Sequence, residues 1–258
     1  MSIDPSKHKR RPRGVSGAGE FAPQHRSEPE ETLIQMSDDH QLARLFEDAA
    51  LLQEKVPNAV LVGGSVSALY AGHRLSFDHD HVVQDLRERF NVVLEALEAD
   101  PEYVVNRITP GKIVLGEHGD IEYGIRQLIR NVPLEVTEVE LWNNKRVRVP
   151  TLEEAIRIKA YLVVKRNQVR DYLDVAALAK LTGIPATATV LNTIDLYYTD
   201  PDQDSHAVAT QLATMLSDPR PTDSTVTKKL EAYKSLTRQW QDWDVVRAIL
   251  SEVALHME

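Results

Sequence analysis

The sequence predicts an α+β fold, in which an α/β domain over residues 37–150 is followed by an α-helical region over residues 151–258. Three observations support this prediction. Segments with the apolar or alternating patterns of strands recur between residues 59 and 149, with amphipathic helices between them. From Pro150 and Thr151 onwards, almost every segment has helical spacing. The length of 258 residues suffices for one large hydrophobic core or two modest ones.

Composition and charge limit the classes of function to consider. Hydrophobic residues make up 42% of the chain and charged residues 27%, which is typical of a globular protein. Because no long apolar run or apolar leader is present, we expect no membrane span and no secretory signal. The absence of cysteine excludes disulfides and thiolate metal ligands, and it agrees with the expected cytoplasmic location, although secretion would also fit. The net charge of -9 argues against general nucleic-acid coating but permits a local basic groove.

Residues 1–36 are predicted to form a disordered basic tail. Basic residues are crowded between Lys7 and Arg13, an acidic stretch follows at Glu28–Glu31, and no apolar periodicity is present to offset the entropy cost of ordering. The segment Lys7–Arg13 is either a phosphate-binding arm or a solubilising tail, and the composition favours the tail.

The predicted elements of the first domain follow in order. Ser37 is a plausible N-cap for a helix, residues 59–62 form a short buried strand, and a turn at Gly63–Ser65 leads into a second helix. A strand at 78–83 precedes an amphipathic helix at 85–99. The remaining predicted strands lie at 103–107, 112–117 and 121–126, with a hairpin turn at 117–120 and further β character at 136–149.

The helical region begins with Thr151 and Glu154, whose spacing is that of a capping box. Its apolar stripe includes Ala155, Ile156 and Val163, and Lys159 falls on the same stripe.

The first candidate site combines a glycine turn with two aspartates. A strand that runs through Gly63, Gly64 and Ser65 into a helix presents backbone N–H groups at a positive helix terminus, which suits phosphate. Asp78 and Asp80 lie two apart in a strand, so both carboxylates share one face and suit Mg²⁺. Each half alone is a weak signal, since such turns and exposed aspartates are common. Together they supply both parts of a metal–triphosphate site.

The neighbouring histidines suggest a different centre, of the histidine-containing hydrolase type. His79 and His81 alternate with the aspartates along the strand, so we expect them to point away from the carboxylates and not to bind the metal.

The second candidate site lies on the helix that Thr151 opens. Lys159 and Arg166 are seven residues apart and project in almost the same direction, which would allow both to neutralise a triphosphate. A lysine in an apolar stripe often only extends its ammonium group to water, and that alternative stays open. On the next helix, Asp171 and Asp174 share a face, but taken alone this segment favours a solvated Arg170–Asp174 ion pair over a functional role.

Taken in order, Gly64–Ser65, Asp78–His79–Asp80, Lys159–Arg166 and Arg170–Asp174 resemble the motifs of AbiEii/AbiGii-type nucleotidyltransferase toxins, in the DNA polymerase β-like superfamily. The resemblance covers roughly residues 59–182. The family's second, basic motif is the loosest match, with Lys112 as its best candidate.

The resemblance implies a polymerase β-like nucleotidyltransferase domain, a mixed sheet with flanking helices, followed by an α-helical region. It implies that Gly64 and Ser65 grip a nucleoside triphosphate (NTP), that Asp78 and Asp80 bind Mg²⁺, and that Lys159 and Arg166 contact phosphate. Asp171 or Asp174 would fill the fourth-motif acidic role. Some members transfer nucleotides to the 3′ end of tRNA in toxin–antitoxin or phage-defence systems, which would add an antitoxin as a partner.

A third carboxylate on a neighbouring strand commonly completes such sites, and here the candidates are Glu122 and Asp120. Asp120 lies in the hairpin turn, where aspartate is favoured for backbone reasons. Glu122 lies within a strand beside Gly124, and we favour it over Asp120 although an exposed strand glutamate explains it as simply.

Three hypotheses remain. We favour a metal-dependent transferase that moves a nucleoside monophosphate from an NTP to the 3′ end of tRNA. The alternatives are a transferase that modifies a protein hydroxyl or an aminoglycoside-like small molecule, and a non-catalytic nucleotide-binding module.

Overall fold

The computed structural model describes residues 31–130, 132–199, 207–233 and 235–257, and for residues 31–39 the backbone alone. The helices are α1 (Glu31–Lys55), α2 (Gly64–Ala71), α3 (Leu86–Glu98), α4 (Leu152–Arg166), α5 (Val169–Thr182), α6 (Ile184–Asn192), α7 (Val208–Ser217) and α8 (Trp243–Leu255). The strands are β1 (Val60–Val62), β2 (Asp78–Val83), β3 (Tyr103–Thr109), β4 (Ile113–His118), β5 (Ile121–Gln127), β6 (Val136–Glu140) and β7 (Arg146–Pro150). Short 3-10 segments lie at Ile194–Leu196, Ser224–Ala232 and Arg238–Trp240.

Five of the strands form one mixed sheet in the order β1-β2-β5-β4-β3. β2 and β5 are parallel, whereas the other neighbours are antiparallel. Strands β6 and β7 form a separate two-stranded antiparallel sheet. The predicted α+β fold, a mixed sheet with flanking helices followed by a helical region, is therefore confirmed.

The two faces of the five-stranded sheet have different surroundings. On one face, apolar side chains of α1 and α3 pack against those of the strands and form a closed core. This core comprises Leu52, Val56, Ala59, Val83, Leu86, Phe90, Val93, Leu97, Tyr103, Val114, Tyr123 and Ile125. On the other face lie partly or fully exposed side chains, among them Asp78, Asp80, Glu122, Arg126 and Arg107. That face is open to a ligand.

A second, larger core joins the helical region to the glycine turn. It includes most buried apolar residues of α4, α5, α7 and α8, together with Leu61 of β1 and Val66 of α2. Hence α2, which follows the turn, packs against α5. The larger core takes residues from both sides of position 150.

Helix α1 begins earlier than predicted. Its first residue is Glu31, so Ser37 lies within the helix and is not its N-cap. Residues 31–36 contain neither glycine nor proline and are mostly good helix formers, which extends the helix towards the amino terminus. The remainder of the predicted tail, with the segment Lys7–Arg13, lies outside the described residues.

The other predicted boundaries agree closely with the structure. Strand β2 covers the predicted residues 78–83, and β4 and β5 form the predicted hairpin around Gly119. The hydroxyl of Thr151 accepts a hydrogen bond from the backbone N–H of Glu154, 3.3 Å away. The Glu154 side chain does not return the bond expected of a capping box, because it pairs with Arg130 at 2.7 Å and with Arg157 at 3.0 Å.

Among the described residues, no single helix is both long and apolar enough to cross a membrane. The segments Val169–Thr182 and Ile184–Leu196 reach that length and composition only together, with a bend of 118° between them.

Candidate active site

The turn between β1 and α2 needs both of its glycines, for different reasons. Gly63 has φ 84°, a left-handed conformation that side-chain-bearing residues rarely adopt. Gly64 has ordinary torsion angles, but a Cβ there would lie 2.5 Å from Nη2 of Arg74. Helix α2 starts at Gly64, so its first backbone N–H groups lack partners within the helix and can bind an anion.

Ser65 has a different position from the one expected of a phosphate ligand. It is buried, and its hydroxyl donates to the carbonyl of Val62 over 3.1 Å. Ser67 likewise donates to the carbonyl of Gly63 over 3.3 Å. Both hydroxyls hold the turn together, so the donors that the turn could offer to an anion are its backbone N–H groups.

The two aspartates lie beside a third carboxylate on the open face of the sheet. In the parallel register of β2 and β5, Asp78 is opposite Glu122 and Asp80 is opposite Gly124. Since cross-strand partners point to the same face, Glu122 is the lateral neighbour of Asp78. A Cβ at Gly124 would lie 2.4 Å from Oδ1 of Asp80, so glycine makes room for that carboxylate. Ser76 donates to Oδ1 of Asp78 over 3.3 Å.

These carboxylates fit a metal that keeps open coordination positions. Among the described residues, no group of three or more histidine, aspartate or glutamate side chains converges to hold an ion by itself. Mg²⁺, however, is commonly held by one or two carboxylates, with waters and substrate phosphates as its other ligands. Asp78 and Asp80, half-buried on one face and adjacent to the glycine turn, provide that donor set.

The histidines of β2 point to the opposite face, as predicted. His79 and His81 are buried, and Nε2 of His79 bonds to Asp48 of α1 over 2.7 Å. The same carboxylate bonds to Nδ1 of His118. Burial lowers the pKa of His81 well below its usual value, and neighbouring His79 and Arg148 lower it further. This side of β2 is therefore a buried polar network under α1.

Asp174 is the centre of a buried ion-pair cluster, and it does not pair with Arg170 at the surface. Its carboxylate, fully buried, receives bonds from Nε and Nη2 of Arg74 at 2.8 and 2.9 Å. Nζ of Lys159 lies 2.7 Å away, and Nε2 of His73 also lies at 2.7 Å. Burial favours the neutral carboxyl, but Arg74, Lys159 and His73 outweigh it and hold the pKa of Asp174 well below its usual range.

Lys159 therefore neither extends to water nor faces an open cleft. Its side chain is 5% exposed and lies against Asp174. Arg166, its predicted companion, is 35% exposed and pairs with the buried Asp171 through bonds of 2.7 and 3.2 Å. Each predicted cation of the helical region is thus matched to a predicted acid of α5.

Other sequence candidates lie at the edges of this arrangement. Asp120 pairs with Arg44 of α1 at 2.6 Å in an exposed position. Lys112 precedes β4, and its carbonyl accepts a bond from the N–H of Gln127.

Sequence reasoning missed two arginines near the carboxylates. Arg126 is on the open face and reaches Oδ1 of Asp80 over 3.4 Å, and Arg74 lies under Gly64. Arg126 could have been found from alternation, because it is four residues after Glu122 in the same strand. Arg74 lies in a loop without periodicity, so nothing in the sequence pattern indicates its direction.

A cavity of about 410 Å³ lies elsewhere, between α1 and the β4–β5 hairpin. Its walls include Asp48, His118, Glu102 and Arg44, but neither Asp78 nor Asp80. The open sheet face, a surface and not an enclosed cavity, carries Asp78, Asp80 and Glu122 side by side and is the better candidate site.

No protein-family model matches the sequence. Among curated proteins, the chain is 30% identical over 177 residues to the mycolic acid-containing lipids exporter MmpL11 of Mycolicibacterium smegmatis. That match covers 69% of this chain but 16% of the exporter, so the chain spans a small part of that relative's length.

Two solved structures are similar to this one at 16% sequence identity. An antigenic nucleotidyltransferase-like protein from Paracoccidioides brasiliensis aligns with a TM-score of 0.50, covering 76% of this chain and 94% of that protein. The nucleotidyltransferase toxin MenT4 from Mycobacterium tuberculosis aligns with a TM-score of 0.43, covering 88% and 93%. The mixed sheet, its flanking helices and the first of these alignments together show that the chain has a nucleotidyltransferase fold.

Proposed function

We propose that this chain is a Mg²⁺-dependent nucleotidyltransferase of the AbiEii/AbiGii toxin type, which transfers a nucleoside monophosphate from an NTP to an acceptor. The observation that carries the proposal is the juxtaposition of Asp78, Asp80 and Glu122 on the open sheet face, next to the Gly63–Gly64 turn. This arrangement offers carboxylates for a cation and backbone N–H groups for phosphate within one site.

Each group in the site then has a distinct role. The N–H groups at the start of α2 bind the phosphates, and Asp78 and Asp80 hold the cation. Bound Mg²⁺ supplies charge neutralisation for the triphosphate and the leaving group. The oxygen of the acceptor hydroxyl bonds to the α-phosphorus, and Glu122 accepts the proton that this hydroxyl loses. The bond from the α-phosphorus to pyrophosphate breaks in the same step.

The two cations of the helical region, Arg166 and Lys159, differ in exposure and therefore in how they can act on the phosphates. Arg166 is partly exposed and able to offset phosphate charge directly, whereas Lys159 acts from within the Asp174 cluster. Asp171 and Asp174 are fully buried, so we assign them the task of orienting these cations and not of binding metal.

The 3′ end of tRNA is the proposed acceptor, on the strength of the motif resemblance. The open face adds support, because the exposed Arg107 and Arg126 lie on the same face as the carboxylates and provide local positive charge for an RNA backbone. A protein hydroxyl or an aminoglycoside-like molecule are the alternative acceptors. An antitoxin encoded by a neighbouring reading frame is the proposed protein partner.

The test is a transfer assay with each of the four α-labelled NTPs, Mg²⁺ and total RNA. We expect label in tRNA with at least one NTP and none when EDTA replaces Mg²⁺. Label that migrates with protein or with a small molecule would keep the transferase and replace the acceptor. No transfer with any NTP to any acceptor would contradict the proposal.

A second candidate function is a non-catalytic nucleotide-binding domain. The observation in its favour is the match to a segment of an exporter, together with the pairing of Lys159 and Arg166 to buried acids. This candidate predicts triphosphate binding that Mg²⁺ does not strengthen and no turnover with any acceptor.

A further inference from the structure

Arg74 occupies the space between the glycine turn and helix α5. Its guanidinium donates two parallel bonds to Asp174 of α5 and a third, of 3.2 Å, to the carbonyl of Leu75. The same group lies so close to Gly64 that a Cβ would be 2.5 Å from Nη2 and 2.9 Å from Nη1. Arg74 therefore contacts the phosphate-binding turn on one side and the helical region on the other.

The cluster around Arg74 carries more positive than negative charge. Arg74 and Lys159 are two cations, and Asp174 is one carboxylate. His73 adds little charge at neutral pH, because burial lowers its pKa more strongly than Asp174 raises it. Within this buried cluster the cations thus outnumber the carboxylates by one, and Arg74 lies against the turn where α2 begins.

Asp78 does not remove this excess once it serves a cation. Burial would lower the pKa of Arg74, but Asp174 outweighs burial and raises it, and Asp78 contributes in the same direction. Asp78 and Arg74 therefore attract each other electrostatically. When Asp78 and Asp80 neutralise a divalent ion, the surplus charge of the cluster is available to the phosphates.

Arginine is required for both tasks. Five N–H groups in a rigid fork allow a bidentate bond to Asp174 while the η nitrogens face Gly64, and a lysine ammonium cannot span the two. The Arg74 side chain is only 2% exposed, so it does not contact the triphosphate directly. It acts on the triphosphate by positioning the turn that binds it. The loop that carries it is also fixed, since the carbonyl of His73 accepts a bond from the N–H of Thr237.

We infer that Arg74 is a positioning residue for the triphosphate: it holds the Gly63–Gly64 turn against α5 and places positive charge beneath it. This inference rests on the proposed function, because it assumes that the turn binds phosphate. It adds a residue that is absent from the predicted set and gives a reason for glycine at position 64, where a Cβ would displace the Arg74 guanidinium.

The test compares Arg74→Lys with the matched variant Arg130→Lys. Arg130 is also buried and paired with a buried carboxylate, Glu154 at 2.7 Å, but it lies away from the turn. Dissociation constants for ATP and GTP are measured by calorimetry with Mg²⁺ present, beside thermal unfolding. We expect Arg74→Lys to weaken triphosphate binding about tenfold and Arg130→Lys to leave it within about twofold, with similar losses of thermal stability.

A second variant approaches the same contact from the turn. Gly64→Ala keeps both charges of the Arg74–Asp174 pair but displaces the guanidinium, so binding should weaken in the same direction. If Arg74→Lys fails to fold, the triphosphate affinity of Gly64→Ala tests the positioning role instead. KM for the triphosphate should rise in both variants while kcat changes by less than about threefold.

The outcomes separate this inference from the proposed function. Wild-type affinity in Arg74→Lys, or equal weakening in Arg130→Lys, would overturn the positioning role while the transferase proposal stands. Failure of the wild-type protein to bind any triphosphate would overturn both.

Discussion

On one face of β2, Asp78 and Asp80 are half-buried beside an open sheet surface, whereas on the other face His79 and His81 are buried on the side of α1. His79 has a protein partner in Asp48 at 2.7 Å. Asp80 has a weak contact with Arg126 at 3.4 Å, a distance at which much of its charge remains available.

The difference teaches how a single strand can serve stability and binding at once. On the α1 side, His79 bonds to Asp48 and to His81, and these buried residues are expected to matter for folding. On the open side, Asp78 accepts a bond from Ser76 over 3.3 Å and Asp80 has the 3.4 Å contact with Arg126, so these two carboxylates are expected to matter for ligands. Substitutions on the two faces should therefore separate into two classes of phenotype.

The largest effect is expected from the aspartates. Asp78→Asn or Asp80→Asn keeps the side-chain shape but removes a metal ligand's charge, so kcat/KM should fall by about a thousandfold or more, equivalent to about 4 kcal/mol. Thermal unfolding should change little. The matched variant His79→Asn should show the reverse, with clear destabilisation and transfer within a few-fold of wild type.

Glu122→Gln should lower turnover by about a hundredfold while triphosphate binding persists, because the amide cannot accept the acceptor's proton. Asp120→Asn is the control, since Asp120 pairs with Arg44 in an exposed position. If Asp120→Asn fails and Glu122→Gln transfers normally, the base is Asp120. Normal transfer by both variants would mean that neither acts as the base.

Lys159→Ala should weaken triphosphate binding about tenfold and lower the free energy of unfolding by about 2 kcal/mol, because Asp174 loses one of its buried partners. Calorimetry and chemical denaturation measure the two effects separately. Lys180→Ala, at an exposed bond to Gln239, serves as the control for loss of a lysine. A loss of stability without a change in affinity would assign Lys159 to the core alone.

A pair of glycines tests the two faces without changing charge. Gly124→Ala would push Oδ1 of Asp80, so transfer should fall by roughly tenfold with a smaller loss of stability. Gly116→Ala on the opposite face would meet the hydroxyl of Tyr123 and the carbonyl of Val104, each at 2.4 Å. Gly116→Ala should therefore lower the free energy of unfolding more than it lowers transfer. Equal losses of transfer in Gly124→Ala and Gly116→Ala would contradict the separation of the faces.

Those parts of the fold and of the candidate site that follow a sequence periodicity could be predicted, whereas contacts between distant segments could not. Alternation assigned Asp78 and His79 to opposite faces of β2 correctly, and glycine spacing located the turn. The partners of Lys159 and Asp174 could not be predicted, because Arg74 reaches α5 across 100 residues of sequence. The early start of α1 was missed because Ser37 suits an N-cap even though the preceding residues are helix formers.

The smallest effect concerns acid sensitivity. The pKa of His81 is lowered in the fold, so the unfolded chain binds a proton that the folded chain excludes, and stability present above about pH 6.5 is lost as pH falls below it. For this one group, the free energy of unfolding should change by at most about 1.4 kcal/mol per pH unit. His81→Asn should flatten the curve measured by denaturation between about pH 7 and pH 5, while Asp80→Asn should leave that part unchanged.

The central claim, that the open face of β2 holds a cation against a triphosphate, is tested most directly by calorimetry. Binding of a non-hydrolysable triphosphate analogue is measured with and without Mg²⁺, for the wild-type protein and for a variant that combines Asp78→Asn with Asp80→Asn. We predict that Mg²⁺ strengthens binding about tenfold or more in the wild type and has no effect in the variant. An equal effect of Mg²⁺ on both proteins would contradict the claim.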